Sequence, residues 1–405
     1  MEPVAITGMG AVTPLGFGHS TMWQRLLRCE TGVGPLTRFN GDDIDVWLAA
    51  EVKDFDVAPY LASRKLAKHL TLPGKYLVAA AHMALQEAEY LEAQSREHLR
   101  CALIVGAGSA LPERHVGTDY PSREPLWYLE TFPNLPTGLL SINFGFKGYY
   151  NTVVNACASG TKALCDGALA IQHGLCDVAL VGATESKVTR EHLAGFRKLG
   201  VLSKSRDPNS ALRPFDADRD GTVIGEGAGA LVLERYSVAM KRGAKIHALI
   251  VGAGFSIDGF RVTEPDGDGT GLLASMRQAL ESAEIAADQL DYINAHGTGT
   301  RINDLAESRA VSALLGHDAK TVPISSTKSM VGHLTAASGV VEAIVCAHSL
   351  KDQAVHPTRN FTRARDVCDL DYVPGEARDR PIRYAMSNSA GFGGFNASLV
   401  MKACH

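Results

Sequence analysis

Short apolar runs that end in glycine alternate along this chain with longer stretches of helical periodicity. Residues 4–10, 101–106, 178–183 and 246–254 are nearly continuous apolar runs, the pattern of strands covered on both faces. Between them, residues 76–89, 271–283 and 337–350 place apolar side chains at helical spacing, and 161–172 reads as a further helix. The alternation predicts an α/β fold with helices on both sides of the strands. The pattern also repeats. A strand running into glycine opens the chain and returns at residue 246, and the glycine-rich turn and strand at 225–234 returns at 391–401. A duplicated α/β unit follows, with halves at 1–240 and 241–405. Each half is expected to hold its own sheet, packed around shared central helices that begin near Cys157 and Ala337.

Composition narrows the classes. The 405 residues suffice for a large core, and a net charge of −4 supplies no broad basic field for nucleic acid. No run of eighteen apolar residues predicts a membrane span, and the N-terminus lacks the basic and apolar regions of a signal peptide. The eight cysteines are scattered and never form CxxC, which argues against a disulfide framework or a zinc ribbon and for a reducing, cytoplasmic compartment.

Three residues stand out chemically. Cys157 lies in Ala156-Cys157-Ala158-Ser159-Gly160, where a strand breaks into small residues and a helix begins. A thiol at a helix N-terminus faces unpaired N–H groups, so its pKa is expected to fall below that of free cysteine. His296, in Ala295-His296-Gly297-Thr298-Gly299-Thr300, follows an apolar strand, where functional residues of α/β sheets collect. His333 follows Gly332 just before an apolar helix. Each alone reads as a structural residue; together they read as a site.

The motifs resemble those of β-ketoacyl–acyl-carrier-protein synthases, the elongating ketosynthases of the thiolase superfamily. Besides the segments above, the resemblance rests on Arg213-Pro214-Phe215-Asp216 with Gly225-Glu226-Gly227-Ala228-Gly229, on Asn303-Asp304, on Ser326-Thr327-Lys328-Ser329 with Gly332-His333, and on Ser387-Asn388-Ser389 with Gly391-Phe392-Gly393-Gly394. It implies a five-layer αβαβα sandwich of two βαβαβαββ halves. It implies an acyltransferase that performs decarboxylative Claisen condensation of a Cys157-bound acyl group with a malonyl unit on acyl carrier protein. His296 and His333 would stabilise the enolate, and the N–H groups of Cys157 and Phe392 would form the oxyanion hole. Lys328 matches a lysine that ion-pairs near the site, with Glu307 as its expected partner and Asp304 close by. Phe392 matches a gating ring on a glycine hinge. Thr298, Thr300, Gly391 and Gly393 would contact the phosphopantetheine arm, and Arg64, Lys65 and Lys68 form a basic cluster suited to an acidic carrier. No cofactor or catalytic metal is implied. A dimer is, either of two copies or with a paralogous ketosynthase-like chain. Asn294, Glu342, Ser387 and Asn388 match positions where some relatives hold a structural cation.

Several residues depart from the fatty-acid pattern: Phe395 where threonine is usual, Tyr149-Tyr150 in place of glycine-proline, Arg261 and Glu264 near the pantetheine channel, and a short 109–126 segment carrying Pro112, Glu113, Arg114 and His115. They point towards a specialised type II polyketide or polyene system. A non-catalytic chain-length subunit would lack the nucleophile. A degradative thiolase would need a second cysteine near the C-terminal glycine loop, and residues 391–396 contain none. The Asp216–Gly221 stretch imitates a calcium loop but has Gly227 where the bidentate glutamate belongs, and Gly8-Met9-Gly10 lacks the third glycine of a dinucleotide fingerprint.

Overall fold

The computed structural model describes residues 2–92, 99–108, 127–364 and 368–404. The 109–126 segment singled out above lies outside the described residues.

Five main strands build each half. In the first they are β1 (Val4–Thr13), β2 (Cys101–Ala107), β3 (Tyr150–Val153), β4 (Val178–Ser186) and β5 (Glu226–Arg235), and their spatial order is β1-β5-β4-β2-β3. In the second they are β6 (Ala248–Ile257), β7 (Tyr292–Asn294), β8 (Ile324–Ser325), β9 (Tyr384–Gly391) and β10 (Phe395–Lys402), in the order β6-β10-β9-β7-β8. Counted within each half, both orders run first, fifth, fourth, second, third. The parallel pairs also correspond: β2 with β3 and β4, β7 with β8 and β9. The duplication is therefore topological and goes beyond a likeness of local pattern.

The two sheets are not separate, as the strand pattern alone suggested. β1 and β6 pair antiparallel through Val4↔Ile250, Ala5↔Leu249 and Ile6↔Ala248, which joins the halves into one hydrogen-bonded sheet. An unpaired first strand in each half would leave a row of backbone groups open. Pairing the first three residues of each covers the start of both edges at once.

Helices complete five layers. α1 (Leu72–Glu87) covers β1, β5 and β4 on the outside. α2 (Ser159–Gln172) and α5 (Ser338–Asp352) lie between the two sheet halves, and α3 (Thr270–Ala283), flanked by α4 (Arg301–Leu315), covers β6 and β10. α5 is buried from Ser338 to Leu350, as a helix enclosed on every side must be. α2 and α5 meet at two glycines. A Cβ on Gly160 would lie 2.8 Å from the Ala336 carbonyl, and one on Gly339 would lie 2.5 Å from the Thr161 nitrogen. Among the described residues no helix is long and apolar enough to cross a membrane.

Both central helices begin the same way. Ala156 (φ 48°) and Thr335 (φ 47°) are left-handed, and each opens a single 3-10 turn, Ala156–Ala158 or Thr335–Ala337, that runs into α2 or α5. Cys157 in the first half thus corresponds to Ala336 in the second. The duplicated elbow carries a thiol in only one copy.

Candidate active site

Cys157 sits on the 3-10 turn that feeds α2. The turn is locked by Ser159, whose hydroxyl accepts from the Asn155 N–H at 2.8 Å and donates to the Ala156 carbonyl at 2.7 Å. Gly391, at the end of β9, presses on the same turn. A Cβ there would lie 2.8 Å from the Asn155 carbonyl and 3.1 Å from the Cys157 nitrogen. Only glycine lets the loop carrying Phe392 approach the Cys157 backbone so closely. Among the described residues no backbone carbonyl accepts from the N–H of Phe392.

His296 leaves the end of β7 and His333 precedes the second elbow. Their rings meet edge to face, with centroids 5.5 Å apart. Hydrogen bonding sets their tautomers. Lys328 Nζ lies 3.3 Å from His296 Nδ1, and the Thr335 N–H lies 3.2 Å from His333 Nδ1. An ammonium and a backbone N–H can only donate, so both Nδ1 atoms accept and both ring protons sit on Nε2. Among the described residues neither Nε2 has a hydrogen-bond partner. Burial, and after it the charge of Lys328, holds both rings well below the ordinary histidine pKa; His333 adds to the effect on His296. The pair is neutral and presents two N–H donors.

Two expectations need correction. The partner of Lys328 is Glu342, at 2.5 Å, with both side chains buried. Glu307 is already occupied: its carboxylate accepts from the N–H groups of His296 and Gly297, each at 2.8 Å. Asp304, one helical turn earlier on α4, accepts from the N–H groups of Phe215, Thr298 and Gly299 at 2.7, 3.1 and 3.2 Å. These two carboxylates shape the loop from His296 to Thr300 and hold no lysine. Burial pushes Glu307 up to about 7. The sequence did hold a signal for Glu342. A lone carboxylate inside a wholly buried helix demands a cation.

The nucleophile also differs from the expected lowered pKa. Burial pushes the Cys157 thiol up to about 12; Lys328 pulls it down, while Glu185 and Glu342 add to the rise. Only part of the cysteine's surface touches the cavity, and desolvation by the rest of its surroundings outweighs the helix terminus. The resting thiol is protonated.

A cavity of about 510 Å³ joins these parts. Cys157, His296, His333, Thr298, Thr300, Gly391, Phe392 and Gly393 all line it. Exposed Val262 and Ile302 line it too, so it reaches the surface. Lys328 and Glu307 stand behind the histidines and do not line it. Arg64, Lys65 and Lys68 are exposed on the turn Arg64–His69, away from the cavity lining. Asp258 and Phe196 line the cavity without having been singled out from sequence, because only the folded chain brings their loops there. Arg261 and Glu264 form an exposed ion pair of 2.6 Å, with Glu264 on the cavity wall. Of the four cation-like positions, Asn294 Oδ1 and Glu342 Oε2 are buried oxygens with no hydrogen-bond partner among the described residues, hard donors of the type such an ion takes, whereas Asn388 Oδ1 accepts from Ser398. Asp216, the first residue of the calcium-like stretch, instead accepts from the N–H groups of Thr362 and Arg363, tying the two halves together.

The duplicated halves and the single elbow thiol define a thiolase-like fold with a ketosynthase-type cavity. Residues 1–239 match the family model "Beta-ketoacyl synthase, N-terminal domain", and residues 247–362 match "Beta-ketoacyl synthase, C-terminal domain". The 3-oxoacyl-[acyl-carrier-protein] synthase 2 of Staphylococcus aureus is 39% identical over 98% of this chain and 98% of its own. A β-ketoacyl synthase from Burkholderia phymatum superposes with a TM-score of 0.92 at 35% identity, and the ishigamide ketosynthase/chain length factor with 0.90 at 31%, each covering 100% of both chains. The chain belongs to the β-ketoacyl synthase family.

Proposed function

We propose that this ketosynthase joins an acyl group held on Cys157 to a malonyl unit carried by acyl carrier protein, in a fatty-acid or polyketide system of discrete proteins. One observation carries the reading: a cysteine and two neutral imidazoles, each with its proton on Nε2, face one cavity. In acyl transfer, Cys157 attacks the carrier thioester and loses its proton. The departing pantetheine thiolate gains one, so the step needs no standing thiolate. The N–H groups of Cys157 and Phe392 would hold the oxyanion. The malonyl thioester then loses CO₂. The two Nε2–H groups would hold the resulting enolate oxygen while its carbon attacks the Cys157 thioester and the thiol is released and reprotonated. Lys328, held by Glu342, fixes His296 in its donor tautomer, and Glu307 fixes its backbone.

Phe392 acts as the gate, Thr298 and Thr300 hold the pantetheine arm with Gly391 and Gly393, and Arg64, Lys65 and Lys68 meet the acidic carrier. The reaction runs in the cytoplasm without a cofactor beyond the carrier's own arm. The halves meet near residue 240. The working unit is a dimer, with a second copy or a paralogous chain. The open-edge position of β3, where Tyr150 is 75% exposed, supports this.

The test is intact-protein mass spectrometry with an acyl-carrier donor. The wild type gains the acyl mass, and Cys157→Ala gains none while keeping its fold. An adduct persisting on Cys157→Ala refutes the assignment. His296→Ala and His333→Ala should accept the acyl group yet form no product.

A further inference from the structure

The turn that carries Phe392 rests on an aromatic ring. β9 and β10 form a hairpin closed by the pair Gly391↔Phe395, and the Gly394 N–H bonds the Gly391 carbonyl at 3.1 Å. Gly393, at φ +87°, has no side chain, and its place is taken: a Cβ there would lie 2.9 Å from Phe395 Cε2 and 3.3 Å from Cδ2. The ring therefore lies directly against the backbone of the turn. The Gly393 N–H donates to the Val262 carbonyl at 2.7 Å. Phe395 itself is half-buried and its backbone pairs across to Ile257 at the end of β6, while the turn above it is held by the Gly393 bond to Val262 and by the Asp258 N–H, which donates to the Gly394 carbonyl at 2.9 Å. Phe392 lines the cavity beside Cys157; Phe395 does not. A swing of Phe392 that carries Gly393 with it would strain the bond to Val262 and peel the turn off the Phe395 ring, forfeiting its dispersion contacts. Threonine, which the motif usually has here, has no ring to offer that face of the turn.

We propose that Phe395 is a positioning residue that latches the turn and keeps Phe392 over the cavity until Cys157 is acylated. This rests on the reading of Phe392 as the gate. The latch would suppress idle turnover, in which a malonyl thioester loses CO₂ and its enolate takes a proton to become an acetyl thioester without any condensation.

The experiment supplies malonyl carrier protein with and without an acyl donor, and takes the ratio of acetyl-carrier formation to condensation from the carrier's mass. Phe392→Ala and Phe395→Thr should each raise the ratio severalfold over wild type. Phe395→Tyr, which keeps the ring, should not, and the Phe392→Ala/Phe395→Thr double variant should not exceed Phe392→Ala. A merely structural loss would lower both rates together. Phe395→Leu, which keeps apolar bulk without a flat ring, serves if the threonine variant folds poorly, and should also raise the ratio. A wild-type ratio in folded Phe395→Thr or Phe395→Leu, beside a raised one in Phe392→Ala, overturns the latch alone. A wild-type ratio in Phe392→Ala overturns the gate and the latch with it.

Discussion

At the scale of single residues, the chemistry depends on where protons are held. Lys328 is the hinge of that arrangement, since it both neutralises Glu342 and occupies His296 Nδ1. Lys328→Met leaves Glu342 buried without its cation, which costs about 3–5 kcal/mol when one member of such a pair is removed. It also frees His296 to carry its proton on Nδ1. Condensation should therefore fall more than acylation of Cys157, measured as product formation against acyl-enzyme mass; equal losses would show that the lysine serves stability alone. The thiol gives a second expectation. With Cys157 pushed up to about 12, alkylation of the unacylated enzyme by iodoacetamide should rise about tenfold per pH unit through the neutral range with no plateau. A plateau near pH 7 would mean a standing thiolate. Cys157, His296 and His333 were legible in the sequence because each sits where a strand or turn gives way to small residues. The pairing of Lys328 with Glu342 is not legible, because the resemblance points to Glu307 at the family's spacing after His296, and only the fold shows that backbone N–H groups have already taken that carboxylate.

Among the elements, the decisive contact is the crossing of α2 and α5, which puts the Cys157 elbow and its second-half counterpart back to back. Gly339→Ala would drive a methyl into Thr161, whose nitrogen lies 2.5 Å from the new carbon. Overpacking of this kind costs about 1–3 kcal/mol, read as a lowered denaturant midpoint. Because the displaced segment is the first turn after Cys157, acylation should slow as well. Full stability in Gly339→Ala would mean that the helices part more easily than their burial implies. Most of these elements could be read beforehand. The apolar runs at 101–106 and 178–183 became β2 and β4, and the 337–350 pattern became α5, because burial on all sides leaves so plain a mark. The joining of the two sheets could not be read. It depends on three residue pairs between Val4–Ile6 and Ala248–Ile250, and alternation within a strand does not say which distant strand lies beside it. The repeated elbow was half visible: Ala158-Ser159-Gly160 and Ala337-Ser338-Gly339 match in sequence, but the shared left-handed residue before each is a backbone property.

For the whole molecule, the balance of buried titratable groups sets the response to acid. Buried imidazoles held neutral, including His296, His333, His348 (about 3) and His356 (about 4), bind protons only after unfolding, so each removes stability as pH falls below about 6.5. Glu185 and Glu307, each pushed up to about 7 by burial, act the other way. They are protonated in the fold before the unfolded chain takes up its protons near 4.5, so they add stability as pH falls from 7. The totals oppose one another, and the sharp expectation is a difference at one site. His356 is fully buried. Its Nδ1–H donates to the Pro357 carbonyl at 2.9 Å, and its Nε2 faces the hydroxyls of Ser325 and Thr327 at 3.2 and 3.1 Å. Burial lowers its pKa, although the bond to Pro357 pulls upwards. His356→Asn keeps a donor and an acceptor but cannot titrate. Its unfolding free energy should lie below that of the wild type at pH 7. Between pH 6.5 and 5 the wild type should lose about 2 kcal/mol relative to it. Denaturant titrations of both proteins at several pH values measure that gap. A gap that does not narrow towards acid would mean that the fold accepts a charged ring at this position, against the neutral network drawn around it.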